Sequence, residues 1–195
     1  MRRVPTAVLI SGRGSNMEAL VRAARDPAYP AQIVLVLANR PDAGGLATAA
    51  AEGVATVAID HRPFGKDREA HERAIDEALR AAGVELVALA GYMRVLTPFL
   101  VRAWAGRMVN IHPSLLPLYP GLHTHERAVA AGDAFGGCTV HLVTEGVDEG
   151  PILGQARAPI LPGDTADDLA QRVLAEEHRL YPACLAELAR TLASQ

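Results

Sequence analysis

Apolar runs just long enough for a buried strand alternate with longer stretches of helical spacing through the first 112 residues, and few topologies accommodate that order. The strand candidates are "TAVLIS" (Thr6–Ser11), "QIVLVLAN" (Gln32–Asn39), "ATVAID" (Ala55–Asp60), "ELVALAG" (Glu85–Gly91) and "RMVNIH" (Arg107–His112). Helical spacing marks "NMEALVRAAR" (Asn16–Arg25), "GGLATAAAEG" (Gly44–Gly53) and "KDREAHERAIDEALRAAG" (Lys66–Gly83), the last two closed by a glycine. Strands that are apolar throughout are buried on both faces, and strand–helix–strand order builds parallel βαβ units. The pattern predicts an α/β fold: one open, mostly parallel, twisted sheet with helices on both faces, Rossmann-like.

The order changes near the C-terminus. "GGCTVHLVT" (Gly136–Thr144) and "PILGQARAPI" (Pro151–Ile160) succeed each other with no helix between, which predicts an antiparallel addition to the sheet. A helical stretch from Thr165 to about Leu192 closes the chain. With 195 residues, half of them hydrophobic, the chain has material for one core, and it reads as a single domain, 1–195. The formal net charge of −3 gives no electrostatic reason to expect nucleic acid. The N-terminal apolar run is too short for a signal peptide, and no window approaches a membrane span, so the expected location is cytoplasmic, away from membranes. Cys138 and Cys184 form no disulfide framework and no CxxC site, and read as buried thiols.

In sheets of this kind ligands sit at the carboxyl ends of the strands. Three unusual segments fall there: Ser11–Asn16, Gly91–Leu96 and Asn110–His125. The first, "SGRGSN", is a glycine loop opening a helix, with Ser15 or Asn16 as the expected cap. Its backbone donors would hold a phosphate at Gly14, Ser15 and Asn16. It is neither a full G-x-G-x-x-G pattern nor a Walker A loop, and a plain tight turn is the competing reading. The third, "NIHPSLLPLYPGLHTH", places Asn110 and His112 two residues apart at a strand end, hence on one face. Pro113, Pro117 and Pro120 stiffen the loop beyond that strand. An amide that donates to a developing oxyanion beside an imidazole that moves a proton suits chemistry at a carbonyl. Asp148, in "EGVDEGPI", is the carboxylate expected to reach His112. His123 and His125 are expected to precede a helix as surface or cap residues, and His141 to be a satisfied core histidine. A metal site from His112, His123 and His125 matches no common spacing, and the expected site holds no metal.

"LISGRGSN", "LAGYMRVL", "NIHPSLLPLYPGLHTH", "VDEGPI" and "EEHRLYP", in that order, resemble the formyltetrahydrofolate-dependent formyltransferases, and within them the phosphoribosylglycinamide formyltransferases. The resemblance covers nearly the whole chain. It implies transfer of a formyl group from the cosubstrate 10-formyltetrahydrofolate to the amine of glycinamide ribonucleotide in purine biosynthesis, by direct attack and without a metal. It places the substrate phosphate on Gly14, Ser15 and Asn16, in the N-terminal half. It assigns catalysis to Asn110, His112 and Asp148, which stabilise a tetrahedral intermediate, with Thr139 near the site. It puts Glu177 at the glycinamide end. The folate would contact Arg68, Met93, Arg94, Val95, Leu96 and the shared Asn110, with the loop around Asp148 closing over it. A monomer or homodimer is implied. Two positions depart from the family pattern: Leu118 stands where lysine is frequent, and Arg13 where asparagine is. The competing readings are another formyltetrahydrofolate enzyme, a hydrolase or a transfer-RNA formyltransferase, and a nucleotide-binding module without catalysis.

Overall fold

A computed structural model describes residues 2–195. Seven strands form one sheet: β1 (Val4–Ile10), β2 (Ala31–Ala38), β3 (Thr56–Ala58), β4 (Leu86–Leu89), β5 (Met108–His112), β6 (Phe135–Leu142) and β7 (Ile152–Pro159). Their spatial order is β3-β2-β1-β4-β5-β6-β7. The first five are parallel, and β6 and β7 pair antiparallel. The expected α/β architecture with its antiparallel C-terminal addition is thus observed. β3 is shorter than the run that suggested it, three residues, because it lies at the sheet edge with two of them exposed.

The helices are α1 (Ser15–Ala23), α2 (Gly44–Ala51), α3 (Arg68–Ala81), α4 (Pro98–Ala103), α5 (Thr124–Ala130) and α6 (Ala166–Ala193). β1 shows why its apolar run has no alternation. Val4, Val8 and Ile10 pack toward α1 and α6, and Ala7 and Leu9 toward α3 and α4, all at 0% exposure. α4 has no counterpart in the sequence reading, although Thr97 followed by Pro98 at the first helical position is a start signal. α6 begins on a capping box in which Thr165 and Asp168 satisfy each other's backbone donors. Near its middle, Tyr181 is fully buried, and its hydroxyl donates to the Leu89 carbonyl at 2.7 Å with the Val109 carbonyl at 3.1 Å. The helix is thereby tied to the last residue of β4 and to the start of β5 just before Asn110. Cys138 and Cys184 are buried free thiols, as expected, with burial pushing Cys138 up to about 12.

The order β2-β1-β4 reverses direction at β1, the chain's first strand. The crevice outside the carboxyl ends of β1 and β4 is where such a sheet binds ligands. The three unusual segments of the sequence all open there or on the adjoining strand.

Candidate active site

The glycine loop leaves β1 and enters α1 through Gly14 in the left-handed region, at φ 71°. This corrects the expected cap: Gly14 holds the cap position, no side chain caps the helix, and Ser15 and Asn16 form its first turn. A side chain at Gly14 would also approach Met17 and Ile10 at 3.2–3.3 Å. With no capping side chain, the first-turn donors are left to a ligand, and the helix end favours an anion. They face a cleft of about 670 Å³ lined also by Arg13, Arg40, Gly91, Met93, Arg94 and His178. Asn16 is turned away from capping because its Nδ2 donates to Glu177 Oε1 at 3.3 Å, leaving its Oδ1 buried without a protein partner. Glu177 is 7% exposed, and burial raises its carboxyl from 4.5 to about 7, against the opposing Asn16 hydrogen bond.

On the cleft's other side, residues 93–96 form a short irregular wall that bends at Arg94. Its ends are fixed: Met93 N–H donates to the Ser11 hydroxyl at 2.8 Å, and Thr97 N–H donates to both oxygens of Glu72 at 3.0–3.1 Å. Arg68 donates to the Val95 carbonyl at 3.1 Å. Met93 and Val95 stay 70% and 61% exposed, large apolar side chains on an anchored backbone, which marks a contact surface.

Asn110 and His112 lie one strand over, at the end of β5 and on one face, with His112 buried and Asn110 half-buried. His112 Nε2 sits 2.8 Å from the Tyr119 carbonyl. A carbonyl only accepts, so Nε2 carries a hydrogen and Nδ1 is the atom left for chemistry. Nδ1 lies 3.4 Å from Asp148 Oδ2. Asp148 reaches it from the β6–β7 loop with a positive φ of 54°, and the same oxygen accepts from Gly121 N–H at 2.9 Å. The loop can lie this close because of Gly150, where an added Cβ would stand 1.6 Å from the Leu142 carbonyl.

The predicted trio therefore converges, with Asp148 against His112 and Asn110 two residues before it. Thr139 is also adjacent, paired with His112 across β5 and β6, but its hydroxyl is consumed by the scaffold. It donates to the Ser114 carbonyl at 2.7 Å and accepts from Leu116 N–H and Gln155 Nε2, each at 3.0 Å. At 0% exposure it shapes the proline segment, where Leu116–Pro117 is cis, and offers nothing to a ligand. His123 meets the expectation of an exposed cap residue, and His125 differs from it by lying inside the helix. The helix starts at Thr124, so His123 is itself the cap residue, at φ 57° and 2.9 Å from Glu126, and His125 lies in the first turn. Among the described residues no group of three or more metal-ligating side chains is assembled.

His141 departs from the expectation of a satisfied core residue. It is 3% exposed, its Nδ1 is 2.9 Å from the Leu142 carbonyl, and its Nε2 has no hydrogen-bond partner and lies 3.7 Å from Asp148 Oδ1. The signal was present in "TVHLV": residue 141 shares a face with Thr139 and pairs with Asn110.

The formyl transferase family profile matches residues 4–185. The chain is 43% identical over 175 residues to the phosphoribosylglycinamide formyltransferase of Escherichia coli K12, covering 90% of this chain and 82% of that protein. It is 50% identical over 189 residues to the trifunctional purine biosynthetic protein adenosine-3 of Drosophila melanogaster, covering 96% of this chain but 14% of that much longer protein. The crystal structure of phosphoribosylglycinamide formyltransferase from Brucella melitensis superposes with a TM-score of 0.92 at 55% identity, over 96% of both chains. With a crevice at the sheet's reversal point and a family match across nearly the whole chain, this protein belongs to the formyl transferase family.

Proposed function

We propose that the protein transfers a formyl group from 10-formyltetrahydrofolate to the amine of glycinamide ribonucleotide, a step of de novo purine biosynthesis, as one formyltransferase domain. The observation that carries the reading is the meeting of Asp148 and His112 at 3.4 Å beside Asn110, with an anion-ready helix end in the adjoining cleft. In this reading Gly14, Ser15 and Asn16 hold the substrate phosphate with backbone donors, and Arg13 adds a cation at the rim. Glu177, bonded to Asn16, faces the glycinamide portion.

The folate fits the wall at 93–96. Its backbone N–H groups at Arg94, Val95 and Leu96 find no partner among the described residues, and Met93 and Val95 are exposed beside them. A flat ring rich in donors and acceptors needs that combination of open amides and apolar contact. Arg68 and Arg94 supply positive charge for its carboxylates, and Asn110 borders both ligands. When bound, the folate supplies an activated formyl carbon.

Attack by the amine puts negative charge on the formyl oxygen. Asn110 donates to that oxygen from its side-chain amide, and protonated His112 shares its Nδ1–H between that oxygen and Asp148, since Nε2 is held by Tyr119. A preorganised donor of this kind is worth about 3 kcal/mol. Asp148 aligns the ring and balances the charge of the imidazolium. Asp148, the base of the pair, accepts the proton shed by the amine, and that proton passes to the departing folate nitrogen as the carbon–nitrogen bond to the folate breaks. The rate comes from positioning and electrostatics.

The deciding experiment is a turnover assay with glycinamide ribonucleotide and 10-formyltetrahydrofolate. Formylated product at catalytic rates is expected. Formate release without glycinamide ribonucleotide, at a rate unaffected by adding it, would identify a hydrolase instead. Tight nucleotide binding with no turnover would identify a binding module.

A further inference from the structure

Asp148 has a second imidazole partner. We propose that His141 is a positioning residue that shares a proton with Asp148 and so fixes the carboxylate against His112, a role that rests on the catalytic reading above. The reason lies in donors and acceptors. The Leu142 carbonyl, 2.9 Å from Nδ1, can only accept, so Nδ1 carries a hydrogen. In a neutral ring Nε2 is then bare. The polar atom facing it is Asp148 Oδ1, at 3.7 Å, also an acceptor. Two buried acceptors facing each other are mismatched, and a single proton between them removes the mismatch.

His112 repeats the arrangement from the other side. Its Nε2–H is held by the Tyr119 carbonyl, and its Nδ1 faces Asp148 Oδ2. The carboxylate is thus bracketed by two rings, each anchored through its outer nitrogen to a backbone carbonyl and each presenting its inner nitrogen. Oδ2 also has the Gly121 N–H, whereas His141 is the side chain facing Oδ1. His141 is rigidly placed, since β6 pairs it with Asn110 on one side and Ile152 on the other. The charged or titratable groups facing it are Asp148 from the loop and, across that carboxylate, His112 from β5. Ile152 on β7 brings no charge. Closing 3.7 Å to hydrogen-bond length needs a movement of under an ångström by the loop, and it would draw Asp148 into a fixed orientation when the ligands are bound.

Two readouts test this on the full chain. In kinetics, His141→Phe is expected to lower kcat about ten- to a hundredfold with both KM values little changed, as loss of an orienting partner does. Its pH–rate profile should lose the proton contributed by the second ring. His141→Gln, which keeps an N–H toward Oδ1, should recover most of the turnover. In long-range nitrogen–proton spectra of the histidine rings, Asp148→Asn should shift the His141 Nε2 resonance as well as that of His112. A His141 ring signal identical in wild type and Asp148→Asn would overturn the proposal, as would a folded His141→Phe variant with wild-type kcat and pH profile. The spectra need no activity, so a chain with coupled rings but no formyl transfer would refute the proposed function and leave the pairing standing.

Discussion

The two ends of the site are built from different materials. The glycine loop, the proposed phosphate site, offers backbone: Gly14 in the left-handed region, no capping side chain, and N–H groups left open at the start of α1. The proposed catalytic end offers side chains: Asn110, His112 and Asp148, drawn from a strand and a distant loop and braced by prolines, Thr139 and the Tyr119 carbonyl. A backbone site tolerates exchange of most side chains but not of the glycine that bends it. A side-chain site tolerates changes in its surroundings better than the loss of one functional atom. The division predicts that damage at one end appears in KM and at the other in kcat.

The sharpest break comes at Asp148. Asp148→Asn keeps the shape and the Gly121 hydrogen bond but removes the charge, and kcat should fall by about 10²–10⁴-fold with thermal stability nearly unchanged. Near-normal turnover in steady-state assays would remove the aspartate from the mechanism. Asn110→Ala deletes one donor to the formyl oxygen and should cost about 10²–10³-fold in kcat, measured at saturating levels of both substrates. Glu177 gives a test by stability. Its folded carboxyl titrates near 7 and its unfolded one near 4.5, so the folded state holds the extra proton between those values. Stability must therefore fall as pH rises from 4.5 to 7, by about 3 kcal/mol for this group. Glu177→Gln should flatten that part of the curve in denaturant titrations run at a series of pH values. At the loop, Gly14→Ala forces a Cβ into the left-handed region at a cost of about 1–2 kcal/mol, and should raise the KM for glycinamide ribonucleotide with a smaller change in kcat. Ser15→Ala, which removes only a side chain, should change either constant by less than about threefold if the loop acts through its backbone. A large effect there would erase the contrast.

Legibility in the sequence divides along the same line. The sheet is legible because strands buried on both faces are apolar without interruption, as in Val8, Leu9 and Ile10. The order of those runs decides which are parallel. Asn110 and His112 are legible because the two-residue period of a strand is local. Asp148 comes from an expectation about loops and from resemblance, since its approach depends on Gly150 passing close to Leu142, a contact no local pattern encodes. The cap at Gly14 escapes the local pattern because Ser and Asn are good caps in general, and the competing claim of Glu177 on Asn16 comes from 161 positions away. His141 reads as core because burial and partnership usually go together, and here burial comes with an unsatisfied nitrogen. α4 escapes for a different reason: at six residues it is too short to show a period.

Tyr181 links the last helix to the seam between the cleft and the Asn110–His112 strand. Its one hydroxyl joins the end of β4, which borders the cleft, to the β5 residue just before Asn110. The terminal helix therefore acts as a keystone rather than a cover. Exchanging this tyrosine for phenylalanine would leave the packing in place while freeing the two strands to slide past each other just before Asn110, turning a fault remote from either proposed ligand into a misaligned site.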